Sequence, residues 1–150
     1  MIFRLNSSDS EQTEKIGEKL GSLLKGSEVI DIKSDLGGGK TTLVRGIAKG
    51  AGSEDKVASP SFTISRVYET PKLKIYHYDF YRLNEAGLST HEVKDILNDP
   101  SAVLVVEWGD IIRQVLPDDR LSIEIKTHID DSRELIFNYP ADLAYLVEKL

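Results

Sequence analysis

Residues 34–42, which read SDLGGGKTT, have the residue types and the spacing of a phosphate-binding loop. A triphosphate presents several negative charges and many acceptor oxygens. A run of three glycines lets backbone N–H groups turn towards such a ligand without a clash of Cβ atoms, and here the run is Gly37, Gly38 and Gly39. The loop therefore predicts that the chain binds a nucleotide through its phosphates.

The residues on either side of the glycines predict how each phosphate is held. Lys40 is the point charge for the β- and γ-phosphates, Thr41 is the hydroxyl ligand for Mg²⁺, and Thr42 is a donor to the α-phosphate. Ser34 stands where the pattern G-x-x-x-x-G-K-[ST] begins with glycine. We expect Ser34 either to keep an ordinary backbone conformation or to carry strain.

Two acidic residues at the ends of predicted strands are candidate partners of this loop. Asp79 follows the alternating residues 73–78, and Glu107 follows residues 102–106, the most continuous apolar run in the chain. The spacing alone favours two roles equally for Asp79, a Mg²⁺ ligand or a surface aspartate. Glu107 lies where open α/β sheets bind ligands, and we predict that it holds the Mg²⁺ shell or orients the attacking water.

Three further features are compatible with purely structural roles. Residues 59–63, which read SPSFT and include the hydroxyls of Ser59 and Ser61, lie where nucleotide-sensing segments often occur, and a structural turn explains them equally well. Trp108 is expected to pack at the edge of the cleft. Thr13, early in the first predicted helix, is expected to be an exposed polar residue.

The elements that must position these residues are predicted from hydrophobic periodicity. Residues 29–32 predict a strand before the loop, and the apolar spacing in residues 43–51 predicts a helix after it. The other predicted elements are a strand at 1–5, a helix capped by Ser8 and Glu11, hairpins at 62–68/73–78 and 121–125/135–137, and helices near 93–97, 111–116 and 143–150. We predict an α/β fold, a P-loop NTPase-like three-layer sandwich with a mainly parallel central sheet and antiparallel β-hairpins.

Length and composition limit the class of protein. A chain of 150 residues with 40% hydrophobic and 29% charged residues predicts one globular domain over 1–150. No apolar run approaches the ~20 residues of a membrane span, and no signal sequence opens the chain, so we expect a cytoplasmic protein without a membrane partner. The absence of cysteine excludes disulfides and thiolate zinc sites, and the three histidines lack metal-ligand spacing.

The net charge of −6 argues against a nucleic-acid backbone as a direct ligand, so any link to RNA is expected to run through a partner protein. Of the histidines, His91 and His128 are predicted to lie at the surface.

Four motifs in this order resemble those of one family, the TsaE (YjeE) ATPases of bacterial tRNA threonylcarbamoyladenosine biosynthesis. They are DLGGGKTT at 35–42 with Arg45 and Gly46 following, SPSFT at 59–63, YHYDFYR at 76–82 and VEW at 106–108. Two positions depart from the family pattern, because Ser34 replaces the usual glycine and Ser61 the usual threonine. Ser61 keeps a hydroxyl, whereas Ser34 affects the loop geometry on which nucleotide affinity depends.

The resemblance implies a specific set of roles. It implies that Lys40, Asp79 and Glu107 are catalytic, that Thr41, Asp79 and Glu107 surround Mg²⁺, and that residues 59–63 act as a switch near the γ-phosphate. It also implies that Thr13 lies near the adenosine of ATP or ADP and that Trp108 belongs to the functional cleft.

The resemblance further implies that this ATPase acts on the TsaD and TsaB proteins, which transfer the threonylcarbamoyl group to tRNAs reading ANN codons, and that it contacts tRNA only indirectly. Two alternatives from the residues stay open. One is a small-molecule P-loop kinase, which needs an acceptor site and a lid that excludes water. The other is a nucleotide-gated binding module with negligible turnover.

Overall fold

The computed structural model describes residues 1–35, 37–82 and 89–150 of the chain. Leu36, inside the predicted phosphate loop, and residues 83–88 lie outside the described residues. The strands are β1 (Ile2–Ser7), β2 (Val29–Ser34), β3 (Ser65–Glu69), β4 (Lys74–Asp79), β5 (Ala102–Glu107), β6 (Leu121–Thr127) and β7 (Arg133–Asn138). The α-helices are α1 (Ser10–Ser22), α2 (Lys40–Gly50) and α3 (Ser89–Leu97), and two 3₁₀-helices span Gly109–Ile112 and Ala141–Leu146.

The seven strands form one sheet with the order β1-β7-β6-β2-β5-β4-β3. The four central strands β6, β2, β5 and β4 run parallel to their neighbours, while β3 and the β7–β1 pair join antiparallel at the two edges. Both predicted hairpins, β3–β4 and β6–β7, are present. The predicted α/β fold with a mainly parallel centre is confirmed.

Apolar side chains cover both faces of the sheet. On one face, Leu20 of α1 and Leu43 and Ile47 of α2 pack with the inward residues of the central strands. On the other face, Val93 and Ile96 of α3 pack against β5. Residues of β5 are buried along its whole length, as expected for a parallel strand covered on both sides. The sheet is therefore the middle of three layers.

Glycines allow α1 and α2 to pack at very short distance. A Cβ atom on Gly21 would lie 2.0 Å from the carbonyl oxygen of Ile47, and one on Gly46 would lie 2.1 Å from the carbonyl oxygen of Glu14. Neither helix can carry a side chain at these positions without moving its neighbour. This contact fixes α2, and with it Lys40 at its first position, relative to the sheet.

Several predicted boundaries were wrong. The N-cap of α1 is Asp9, not Ser8: its carboxylate accepts the Gln12 N–H at 2.8 Å, and the Gln12 side chain accepts the Ser8 N–H at 2.7 Å. Strand β3 begins at Ser65, three residues later than the predicted start at Phe62.

The helices predicted at 111–116 and 143–150 were also wrong in type and position, since the structure has the shorter 3₁₀-helices Gly109–Ile112 and Ala141–Leu146 there. His91 and His128 are exposed, as predicted. None of the helices in the described part of the chain is long and apolar enough to cross a membrane.

Candidate functional site

The glycine-rich loop leaves β2 and enters α2 through two left-handed backbone turns. Gly37 has φ 76° and Gly39, the N-cap of α2, has φ 96°. Residues with a Cβ atom rarely adopt these angles, so glycine is favoured at both positions. The helix starts at Lys40 without a side-chain cap, which leaves its first N–H groups and its positive dipole end facing the loop.

Lys40 is 8% exposed, and its ammonium group lies inside the loop. It donates to Ser34 Oγ at 2.9 Å, to the Asp35 carbonyl at 3.2 Å and to the Ser34 carbonyl at 3.4 Å. The Ser34 hydroxyl in turn donates to the Asp35 carbonyl at 2.8 Å. The oxygens of the loop thus hold the Lys40 ammonium group.

Ser34 has an ordinary backbone conformation, because the described residues other than glycine with positive φ are Ser27, Ile64, Trp108 and Asp131. Its hydroxyl fills space beside the loop: a Cβ atom on Gly38 would lie 2.4 Å from Ser34 Oγ. The first of the two expectations for Ser34, an unstrained backbone, is therefore the correct one.

Asp79 and Glu107 end neighbouring parallel strands and pair directly across β4 and β5. They are 4% and 2% exposed, so neither is a surface residue. The Asp79 carboxylate accepts the Ser61 hydroxyl at 2.7 Å through Oδ2 and the Tyr81 N–H at 2.9 Å through Oδ1. The alternative interpretation of Asp79 as a surface aspartate is wrong.

Glu107 Oε1 lies 2.8 Å from His77 Nε2. Both side chains are on the face of the sheet that α1 and α2 cover, which we call the α1/α2 face. Among the ion pairs of the described residues, none joins a lysine or arginine to Asp79 or Glu107. Two buried carboxylates without a lysine or arginine partner and a nearby hydroxyl, Thr41, form a set of hard oxygen donors that fits Mg²⁺.

The described lining of the cleft contains two carboxylates, those of Asp79 and Glu107. Over residues 1–35, 37–82 and 89–150, no three His, Asp or Glu side chains are grouped as a metal site. This agrees with the preference of Mg²⁺ for one or two carboxylates together with water and substrate phosphates.

Residues 59–63 form a turn beside the carboxylates. The hydroxyls of Ser59 and Ser61 lie 2.8 Å apart, and the Ile64 N–H donates to the Pro60 carbonyl at 2.6 Å. Ile64 has φ 69°, an angle that is strained for a β-branched residue. The segment therefore enters β3 through a strained residue, and it presents two hydroxyls to the cleft.

Trp108 directly follows β5 and also has a left-handed backbone, with φ 57° and ψ 43°. Its ring centroid lies 5.0 Å from that of Tyr81 and 5.4 Å from the Lys40 ammonium. The second distance is in the range of a cation–π interaction. The strained turn thus brings the indole ring over the phosphate loop instead of leaving it in the strand direction.

One cleft of ≈ 270 Å³ collects all but one of the predicted site residues. It is lined by Gly37, Gly38, Gly39, Lys40, Thr41, Thr42, Ser59, Ser61, Asp79, Glu107 and Trp108. Thr13 does not line it. The expectation of an exposed Thr13 is wrong, because the residue is fully buried and its hydroxyl lies 2.7 Å from Ser7 Oγ and donates to the Asp9 carbonyl at 3.1 Å.

Sequence reasoning missed three residues at this site. His77 and Tyr68 connect to Glu107 from inside the sheet, with Tyr68 OH 3.1 Å from His77 Nδ1. Period-2 spacing from Asp79 on β4 is the signal that places His77 on the same face. Arg133 lies against the loop: a Cβ atom on Gly39 would be 2.9 Å from Arg133 Nε, and this buried nitrogen has no hydrogen-bond partner among the described residues.

Comparison with known proteins identifies relatives of this chain. The family model described as "Threonylcarbamoyl adenosine biosynthesis protein TsaE" matches residues 7–135. The tRNA threonylcarbamoyladenosine biosynthesis protein TsaE of Bacillus subtilis is 37% identical over 131 residues, which is 85% of this chain and 79% of that protein. The TsaE protein of Aquifex aeolicus is also 37% identical over 131 residues, 86% of this chain and 90% of that protein.

A solved structure agrees with these matches. The crystal structure of YdiB from Bacillus subtilis superposes with a TM-score of 0.82 at 32% sequence identity. The superposition covers 99% of this chain and 93% of that chain. The similarity therefore extends over the whole sheet and is not limited to the phosphate loop.

Proposed function

The chain belongs to the TsaE family of tRNA threonylcarbamoyladenosine biosynthesis proteins, and we propose that within this pathway it binds and hydrolyses ATP. The observation that carries the proposal is the single cleft in which the glycine loop faces two buried carboxylates. A loop of N–H donors opposite a pair of carboxylates suits a phosphate chain that carries a divalent cation. Phosphoryl transfer needs mainly such positioning and charge neutralisation from a protein.

Each residue of the cleft has a role in this proposal. The N–H groups at Gly37, Gly38 and Gly39 and the start of α2 bind the phosphates, and Lys40 moves from the loop oxygens to the β- and γ-phosphates. Thr42 donates to the α-phosphate. Ser59 and Ser61 face the γ-phosphate side of the cleft.

Thr41, Asp79 and Glu107 are the residues that would hold Mg²⁺, and the cation would there neutralise negative charge that develops during phosphoryl transfer. Glu107 also fits the task of orienting the attacking water, since its carboxylate is already fixed by His77 at 2.8 Å. Trp108 closes the cleft above Lys40. We also propose that the start of α1 lies near the adenosine. Thr13 would support this contact indirectly, by holding the start of the helix, because its own hydroxyl is buried.

We propose that the partner is the TsaD–TsaB pair, and that hydrolysis resets this complex between rounds of threonylcarbamoyl transfer. The support is the family to which the chain belongs and the pathway that its relatives' names state. A net charge of −6 agrees with contact to tRNA through the partner, because direct binding to a phosphate backbone favours a basic surface.

The test is phosphate release from Mg-ATP by the purified chain, alone and with TsaD and TsaB from the same source. We expect slow release alone and faster release with the pair. Lys40→Ala should abolish it, while Lys49→Ala, a matched control on the exposed side of the same helix, should not. Equal rates with and without the pair would refute the partner assignment. A phosphorylated acceptor in place of free phosphate would instead support a small-molecule kinase.

A further inference from the structure

A line of buried polar side chains runs from the cleft to the backbone before the 59–63 segment. Glu107 Oε1 lies 2.8 Å from His77 Nε2, His77 Nδ1 lies 3.1 Å from Tyr68 OH, and Tyr68 OH donates to the Ala58 carbonyl at 3.1 Å. Ala58 directly precedes Ser59. Four residues from three strands and one loop thus lie, one after the next, within hydrogen-bond distance of each other.

The sheet register explains why these side chains meet. Tyr68 pairs with Ile75 across β3 and β4, and His77 pairs with Val105 across β4 and β5. Since side chains alternate between faces, Tyr68, His77 and Glu107 all project from the α1/α2 face of the sheet. His77 is fully buried there, between Tyr68 and Glu107.

The surroundings of this line are apolar. Tyr68 belongs to the same core cluster as Ile75, Val103 and Val105. A polar group in such a place needs a hydrogen-bond partner, so each member of the line constrains the next one. Burial also raises the pKa of the Tyr68 phenol, which keeps its proton available for donation to the Ala58 carbonyl.

Both acidic residues of the cleft, Asp79 and Glu107, are therefore connected to the 58–64 segment. Asp79 holds it directly, through the Ser61 hydroxyl at 2.7 Å and through its own N–H, which donates to the Ile64 carbonyl at 2.8 Å. Glu107 holds it through His77 and Tyr68. The second connection reaches the other end of the segment, at Ala58.

We propose that His77 and Tyr68 are positioning residues that couple Glu107 to the 58–64 segment. A displacement of the Glu107 carboxylate then moves the Ala58 carbonyl, and movement of the segment changes where Glu107 points. The coupling rests on the proposed function only in assigning Glu107 to an ATP cleft. It is a property of the chain itself, so it can be measured without nucleotide.

The test is a double-mutant cycle with Tyr68→Phe and Glu107→Ala, read by hydrogen exchange without nucleotide. The reporters are the Thr63 and Ile64 amides, both of which donate to the Pro60 carbonyl. Each single variant should raise their exchange about two- to tenfold beyond any change in global stability, the effect of losing one net hydrogen bond. The double variant should raise exchange no further. Additive effects, or no response to Glu107→Ala, would overturn the proposal.

One further variant is a control for the cycle, and another is a replacement for Glu107→Ala. Tyr145→Phe removes another tyrosine hydroxyl, a partly buried one that donates to Glu28 at 2.7 Å, and it should leave the Thr63 and Ile64 amides unchanged. If Glu107→Ala does not fold, Glu107→Leu takes its place in the cycle, because leucine has a similar volume and forms no hydrogen bond with His77.

Turnover supplies an independent readout. With Mg-ATP, Tyr68→Phe should lower kcat about two- to tenfold at unchanged KM, because the phenol touches neither ATP nor the metal ligands. A raised KM with unchanged kcat would contradict a positioning role. A parent protein that hydrolyses no ATP would refute the proposed function instead, and the exchange cycle would still decide the coupling.

Discussion

Ser34→Ala tests whether the residue that departs from the glycine pattern lowers the affinity for ATP. The change removes two hydrogen bonds, one from Lys40 Nζ to Ser34 Oγ at 2.9 Å and one from Ser34 Oγ to the Asp35 carbonyl at 2.8 Å. It leaves the Cβ atom and the ordinary backbone of Ser34 in place. Alanine therefore isolates the hydroxyl, whereas glycine would also add backbone freedom of about 0.5–1 kcal/mol.

The expected effects on affinity and stability have opposite signs. Lys40 must leave Ser34 Oγ to reach a phosphate, and its other two contacts, at 3.2 and 3.4 Å, are longer. A hydrogen bond to a charged group contributes about 1.5–3 kcal/mol, and partial exposure of Ser34 places the value at or below the lower end. Affinity for ATP should thus rise about two- to tenfold. The free energy of unfolding should fall by about 1 kcal/mol.

Calorimetric titration with a slowly hydrolysed ATP analogue and Mg²⁺ measures the affinity, and urea unfolding measures the stability. Ser22→Ala is the matched control, because its hydroxyl donates to the Lys19 carbonyl at 2.7 Å on an exposed turn of α1. Weaker ATP binding by Ser34→Ala would show that the hydroxyl binds the nucleotide itself. Unchanged binding would show that it does not compete for Lys40, and either result refutes the reasoning.

Three other substitutions test separate parts of the structure. Lys40→Ala should reduce ATP affinity at least tenfold in calorimetry, since it removes the loop's point charge, and unchanged affinity would refute the loop assignment. Asp79→Ala should raise the Mg²⁺ concentration needed for half-maximal turnover about tenfold, while a titration identical to that of the parent would make Asp79 structural only. Burial, then the hydrogen bond to Glu92, raises the pKa of Tyr78 to about 12. The native state then binds more protons than the unfolded state above about pH 10, so stability should fall from there to pH 12, and Tyr78→Phe should remove that part of the decline in urea unfolding.

The phosphate loop and the central sheet were predictable because their signals are local. The β-branched run before the loop, the three glycines and the helical spacing after Lys40 all specify the same strand-to-helix turn. The continuous apolar run of β5 indicated a strand covered on both faces, and the parallel pairing with β2 and β4 follows from that burial. Cleft residues from four segments meet because parallel strands end at one edge of the sheet.

The parts that sequence reasoning missed depend on contacts between distant segments. The strand predicted at 1–5 is present as β1, but its place in the sheet was not predictable, because it pairs with β7, which lies more than 120 residues later. Thr13 was expected at the surface, but it is buried at the start of α1, where its hydroxyl bonds the Ser7 hydroxyl and the Asp9 carbonyl. The line from Glu107 through His77 to Tyr68 requires the register of three strands, which no local pattern encodes.

We propose that the pairing of Asp79 with Glu107 serves ligand binding and not stability. Neighbouring strands lie about 4.8 Å apart, so the two carboxylates are close, and both are buried. Their hydrogen bonds come from Ser61, the Tyr81 N–H and His77, and the ion pairs of the described residues give them no lysine or arginine. Two carboxyl groups buried side by side cost stability, and apolar residues of similar volume would cost less. A bound Mg²⁺ would offset that cost in the folded state only, so binding of the cation should stabilise the fold.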